Sequence, residues 1–373
     1  YLTNMKAANR EYGIDLLRIL SMLMVVILHT LGNGGVLNNV KAGSVNYYVA
    51  WLMEIAVLCA VDCFALISGY VLYKPGFKLS RLIELWFQVF FYSVAITAVF
   101  FVIDRHSVSA KDVVLGIAPV LTKRYWYFTA YVGLFFFTPF INRAIDSFDK
   151  ATAQKLITAV ILLLSVFPAL TTCDLFMTNT GYSMIWLIAL YFIGAYIKKY
   201  NPFPFLKKRN LLFYAVCVIA ALTFKVVIEM IPFKFSCKST FSNNFVHYTS
   251  PFILLAAVFL LLFFSQLHIN SKSKINLISF FSPISFGVYL IQVHPQMWTK
   301  VFLNRFVFLA SSPTLILVLG TLVFSAAVYI SLALLDFMRQ CIFKLIKIHR
   351  LSEYIGANIS RWFDSLFPKD IQK

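Results

Sequence analysis

Ten stretches of about twenty apolar residues, separated by short polar segments, constrain this chain more than any other feature. They fall at 14–33, 46–73, 84–103, 125–142, 156–172, 182–198, 211–231, 249–268, 281–299 and 313–335. A helix needs about that length to cross a bilayer. In lipid a spanning segment must satisfy its own backbone polar groups, which leaves helices or a closed barrel. Continuous apolar runs of this length point to helices. Composition agrees: 60% of residues are hydrophobic and 13% charged, where a water-soluble domain has about 45–50% and about 25%. A soluble globular domain, a disordered chain and a collagen-like repeat are excluded. The expected fold is an all-α polytopic membrane protein with about ten transmembrane helices. The second run is too long for one straight span and is expected to begin or end at the membrane surface. Segment 112–121 is too short to cross and is expected to lie at the interface or re-enter.

Lys and Arg total 33 against 15 Asp and Glu, a net charge of +18. In a soluble chain such an excess would point to nucleic acid; here it follows the loops, and no nucleic-acid partner is expected. Alternate connections hold 22 of these cations, the other set nine. The positive-inside rule therefore places both termini in the cytoplasm. The expected organisation is a cytoplasmic segment over 1–13, a transmembrane domain over 14–336, and a basic cytoplasmic tail over 337–373 that forms an interfacial helix. Membrane lipid is the expected surrounding and the plasma membrane the expected location. The six cysteines lack metal-ligand spacing, so no metal is expected. Cys173 and Cys237 both fall in outer loops, and whether they pair stays open.

Ionisable groups inside spans cost at least about 2.5–3.5 kcal/mol each on insertion scales, so each asks for a reason. The first run, GIDLLRILSMLMVVILHTLG, holds Arg18 and His29. At ~100° per residue their separation returns to one face, with about 16 Å of helix between them. Asp15, one turn before Arg18, can pair with it. Singly, Arg18 reads as a snorkelling anchor and His29 as a polar bridge or an outer-surface residue. Sharing one stripe, they mark a polar channel. The second run holds Asp62 and the small pair Ser68-Gly69, which permits close helix contact or a bend. Beyond it, Lys78 and Arg81 stand one turn apart, as positive-inside bias explains and as a phosphate-bearing ligand would also suit. Lys225 and Glu229 are spaced to neutralise each other, while Glu54 has no evident local partner. Tyr289, Gln292 and His294 lie near the outer end of the ninth run, where His294-Pro295 is expected to end the helix. Trp126, in RYWYFTAY, matches an interfacial aromatic belt.

These elements resemble the acyltransferase-3 family of integral membrane acyltransferases, polysaccharide O-acetyltransferases among them. The resemblance rests on an Arg-x10-His pattern from Arg18 to His29 preceded by Asp15, and on VDCFALISGY with the basic pair Lys78 and Arg81 after it. YWYFTAYVGLFFFTPFIN, GYSMIWLIALYFIGAYI and FGVYLIQVHP extend it over nearly the whole chain. Such a family implies transfer of an acyl group, usually acetyl from acetyl-CoA, to a hydroxyl of a cell-surface glycan or lipid-linked sugar. It implies His29 as base or nucleophile with Asp62 or Asp15 as its electrostatic partner, and Arg18, Lys78 and Arg81 on the CoA phosphates. Asp15, Ser68, Trp126, Tyr289 and His294 complete the candidate set. Two positions depart from the pattern: Gln292 stands where members often carry His, and Lys78 where they carry Arg, which loses bidentate phosphate geometry. A fold of this kind also serves amino-acid (serine-type) transport, and a glycan exporter is a further alternative.

Overall fold

The computed structural model describes residues 10–73, 77–171, 173–202, 209–230 and 245–366, apart from the side chains at 107 and 363–366. Helix is the regular structure of these residues, and no strand occurs among them. In chain order the main helices are α1 (Tyr12–Leu31), α2 (Val45–Leu58), α3 (Ala60–Leu72), α4 (Leu79–Ile103), α5 (Ala110–Ile117) and α6 (Trp126–Ser147). They continue as α7 (Lys150–Thr171, with a π-helical turn at Leu162–Val166), α8 (Met184–Tyr200) and α9 (Arg209–Met230). The chain then forms α10 (Pro251–Ser265), α11 (Lys272–Gln292), α12 (Thr314–Leu345) and α13 (Ile348–Leu366). Among the described residues, eight spans are long and apolar enough to cross a membrane, with α2 and α3 forming one of them. The sixth and eighth predicted runs appear as the shorter helices α8, of 17 residues, and α10, of 15. The protein is an all-α polytopic membrane protein.

The long second run bends at Cys59, whose ψ of −1° separates α2 from α3. Segment 112–121 contains α5, eight residues held by a capping box in which the Ser109 hydroxyl accepts from the Asp112 N–H. In return, Ser109 donates from its hydroxyl and backbone to the Asp112 carboxylate, which holds that carboxyl below its ordinary pKa. Near His294-Pro295 the helix ends as expected, with α11 closing at Gln292.

α1 lies at the centre of the bundle, in contact with α2, α3, α10, α11 and α12. That position explains why it carries buried polar groups: its neighbours, rather than lipid, surround it. α3 and α8 pack backbone against backbone. A Cβ on Gly69 would sit 2.0 Å from the Tyr191 carbonyl oxygen, and one on Gly194 would sit 2.1 Å from that of Leu66. Only glycine on both sides allows this backbone approach, which bears out the close contact foreseen at Ser68-Gly69.

The last membrane helix continues past the boundary expected at 336, to Leu345. Within it, Asp336 and Arg339 form a buried ion pair one turn apart. Arg339 donates to the Asp336 carboxylate at 2.7 and 2.9 Å, and Gln88 and Tyr92 of α4 donate to it at 3.2 and 2.7 Å. Beyond the turn, α13 packs on α4 and leaves Tyr354 and Trp362 exposed. Lys225 and Glu229 pair at 2.5 Å as expected, and Lys225 also lies 3.8 Å from the centre of the Trp51 ring. Cys237 lies outside the described residues, and so does the question of its pairing with Cys173.

Candidate active site

At one end of the bundle, His29 sits two residues before the end of α1. Its Nδ1 is 2.9 Å from Oε1 of Gln292, the buried last residue of α11. A carboxamide oxygen only accepts, so Nδ1 carries the proton and Nε2 holds the lone pair. Trp298, in the π-helical turn Met297–Phe302, meets the imidazole edge-on at 4.8 Å. The loop after α1 is fixed from the same side: Asn304 and Phe306 donate backbone hydrogen bonds to the carbonyls of Asn33 and Gly34, both at 2.9 Å. An imidazole of set tautomer on a rigid mount suits proton transfer.

Neither acid considered as its partner bonds His29. Asp62 is fully buried, and one carboxylate oxygen accepts from Trp186 Nε1 at 2.9 Å. Asp15 lies at the other end of α1. There it accepts from Arg10 at 2.6 Å, from Arg18 at 2.7 Å and from the Ser282 hydroxyl at 3.1 Å. The Asp15–Arg18 pair expected from their spacing is therefore present.

That second end also holds the remaining cations. Lys78 and Arg81 line a cavity of ≈310 Å³ together with Arg143, Phe77, Phe135 and Asp146. Phe77 and Phe135 pack at 4.8 Å with their planes tilted by 42°, and Tyr73 donates to Asp146 at 2.5 Å. Contacts tie this cavity to the start of α1. Lys199 donates to the carbonyls of Ile145, Asp146 and Phe148 at the end of α6, while Lys198 pairs with Glu11. Arg18 thus shares one end of the bundle with Lys78 and Arg81, some sixty residues later in the chain.

The other candidates divide. The Ser68 hydroxyl donates to the Phe64 carbonyl of its own helix at 2.9 Å. His294 is fully buried, and Arg124 donates to its Nε2 at 3.1 Å, with Thr97 also adjacent at 3.3 Å. It locks the segment before α6 against α4 and does not join the His29–Gln292 pair. Tyr289 lies one turn before Gln292, its ring 6.4 Å from that of Tyr127. Trp126 packs against Tyr182 at 4.5 Å and stacks on Tyr248 at 6.4 Å. Sequence reasoning missed Arg143 and Trp298. Arg143 follows α6's apolar stretch and is indistinguishable there from a topology anchor, while Trp298 looks like one more interfacial aromatic.

A model of the acyltransferase domain, that of the acyltransferase-3 family, matches residues 11–335. The chain belongs to this family and is a multi-pass membrane acyltransferase, with an acyl donor and an acceptor as substrates. Among curated proteins and solved structures, none matches the chain.

Proposed function

We propose that the enzyme moves an acyl group, read as acetyl from its likeness to the O-acetyltransferases, from acyl-CoA to a hydroxyl of a cell-surface glycan or lipid-linked sugar at the plasma membrane. The observation that carries this reading is the His29–Gln292 hydrogen bond, which leaves Nε2 as an acceptor. The cation-lined cavity suits the donor: Lys78, Arg81 and Arg143 match phosphate charge, and the Phe77–Phe135 pair suits a flat base. Its ≈310 Å³ has room for part of such a donor. When bound, acyl-CoA supplies a thioester carbonyl. Nε2 of His29 takes the proton of the acceptor hydroxyl as its oxygen bonds to that carbon, and returns the proton to the departing sulfur. Arg18, held by Asp15 and Ser282, adds positive charge on the donor side. Both termini lie in the cytoplasm under this reading, with the donor entering from there.

The test is mass spectrometry of surface glycans from cells that carry the wild-type protein, the His29→Gln variant or neither. Ester-linked acyl groups present only with wild type support the reading. An identical glycan profile in all three sinks it.

A further inference from the structure

We propose that Trp126, Tyr182 and Tyr248, linked through Gly181 to the Trp186 that donates to Asp62, form the platform on which a pyranose ring of the acceptor docks. The inference rests on the acyl-transfer reading above and adds the place where the acceptor is held. Three rings from separate segments converge there. Trp126 opens α6, Tyr182 precedes α8, and Tyr248 precedes α10, with Trp126–Tyr182 at 4.5 Å, Tyr182–Tyr248 at 5.0 Å and Trp126–Tyr248 at 6.4 Å. An interfacial belt needs no such mutual packing, since each of its rings meets lipid by itself. Tyr182 remains 45% exposed above a buried Tyr248, so the cluster presents the Tyr182 ring outward.

Asp62 supplies the polar half. It is 0% exposed; one oxygen accepts from Trp186, and Oδ2 has no hydrogen-bond partner among the described residues. A buried carboxylate oxygen left unpaired is costly, and a ligand hydroxyl is a natural donor to it. Trp186 ties the carboxylate to the rings, because Gly181, beside Tyr182, packs against both Tyr248 and Trp186. A Cβ there would lie 2.5 Å from Tyr248 and 3.3 Å from Trp186, and its φ of +104° favours glycine. Aromatic faces for the C–H surface of a sugar, beside a carboxylate for its hydroxyls, are the two chemistries a pyranose presents.

The platform also belongs to the His29 end. Tyr127, next to Trp126, reaches Tyr289, and Tyr289 is one turn from Gln292, which holds His29. Asp62 thereby changes role, from partner of the histidine to a hydrogen-bond acceptor for the sugar.

Two readouts test this on the full chain in nanodiscs. In the first, saturation-transfer NMR is run with methyl glucoside, methyl galactoside and methyl N-acetylglucosaminide as probes. Saturation of ring C–H protons is expected with wild type, lost in Tyr182→Ala and largely recovered in Tyr182→Phe, which keeps the ring. In the second, labelled acetyl-CoA and isolated envelope glycan give steady-state kinetics. Asp62→Asn should raise the acceptor KM about tenfold or more, the effect of one lost hydrogen bond to a charged group, and Tyr182→Ala should raise it through the lost ring face, with the donor KM within twofold in both. No saturation transfer to any of the three glycosides overturns the platform, as does an acceptor KM unchanged in both variants. Sugar binding without acyl transfer would keep the platform and defeat the acylation reading, whereas acyl transfer indifferent to these residues would do the reverse.

Discussion

Replacing Gln292 by Leu isolates what the amide does for His29. The 2.9 Å contact to Nδ1 is the one hydrogen bond of the imidazole among the described residues. Leucine fills similar space in this buried position and accepts nothing. A neutral hydrogen bond is worth about 0.5–1.5 kcal/mol, and 1.36 kcal/mol is tenfold in rate, so losing tautomer control should slow acyl transfer about two- to thirteenfold. His29→Gln removes the base itself and should cost about 10²–10⁴. The two losses are coupled: once His29 is Gln, the Gln292→Leu change should cost little more. The assay is transfer of labelled acetyl from acetyl-CoA in reconstituted membranes, with thermal unfolding in detergent to verify that each variant is folded. Equal fractional losses from Gln292→Leu in both backgrounds would refute the reasoning, because the amide would then act independently of His29. Near-native rates in His29→Gln would remove the base altogether.

Asp336→Ala strands the Arg339 guanidinium, 7% exposed, against α4, and should destabilise the fold by about 3–5 kcal/mol; Asp336→Leu with Arg339→Met should recover most of that in thermal unfolding. Gly69→Val drives side-chain atoms into the Tyr191 carbonyl and should yield no folded protein on size-exclusion chromatography, whereas Ser68→Ala, whose hydroxyl bonds only its own helix, should stay within about 0.5 kcal/mol of wild type. Arg81→Ala and Arg143→Ala should each weaken acetyl-CoA binding by about 1.5–3 kcal/mol, read by calorimetry, and Arg→Lys should restore part of it; unchanged affinity would leave both as topology anchors. A cysteine introduced at Glu353 should react with an impermeant maleimide only after cells are opened, and labelling of intact cells would reverse the assigned orientation.

The periodic apolar runs made the membrane fold legible, because the bilayer sets a length that no soluble helix needs. Local spacing also sufficed for Asp15 with Arg18 and for Lys225 with Glu229, since residues three and four apart on a helix are neighbours whatever surrounds them. The bend at Cys59 was less visible. Excess length in the second run announced a discontinuity, but no proline or glycine marks its place. The burial of Asp336 left no such local mark: besides Arg339, the donors that satisfy it are Gln88 and Tyr92, more than two hundred residues earlier.

The sequence by itself determined the class of fold, the polar stripe from Arg18 to His29 and the family, all of which follow from residue type and local spacing. Only the tertiary structure decided which group meets which across helices. It gave His29 to Gln292 rather than to Asp62, brought Arg143 to Lys78 and Arg81, and packed three aromatic rings from distant segments against one another. Such pairings depend on how helices rotate and cross, which is fixed by packing between distant segments such as Gly69 against Tyr191 and leaves no periodic trace along the chain.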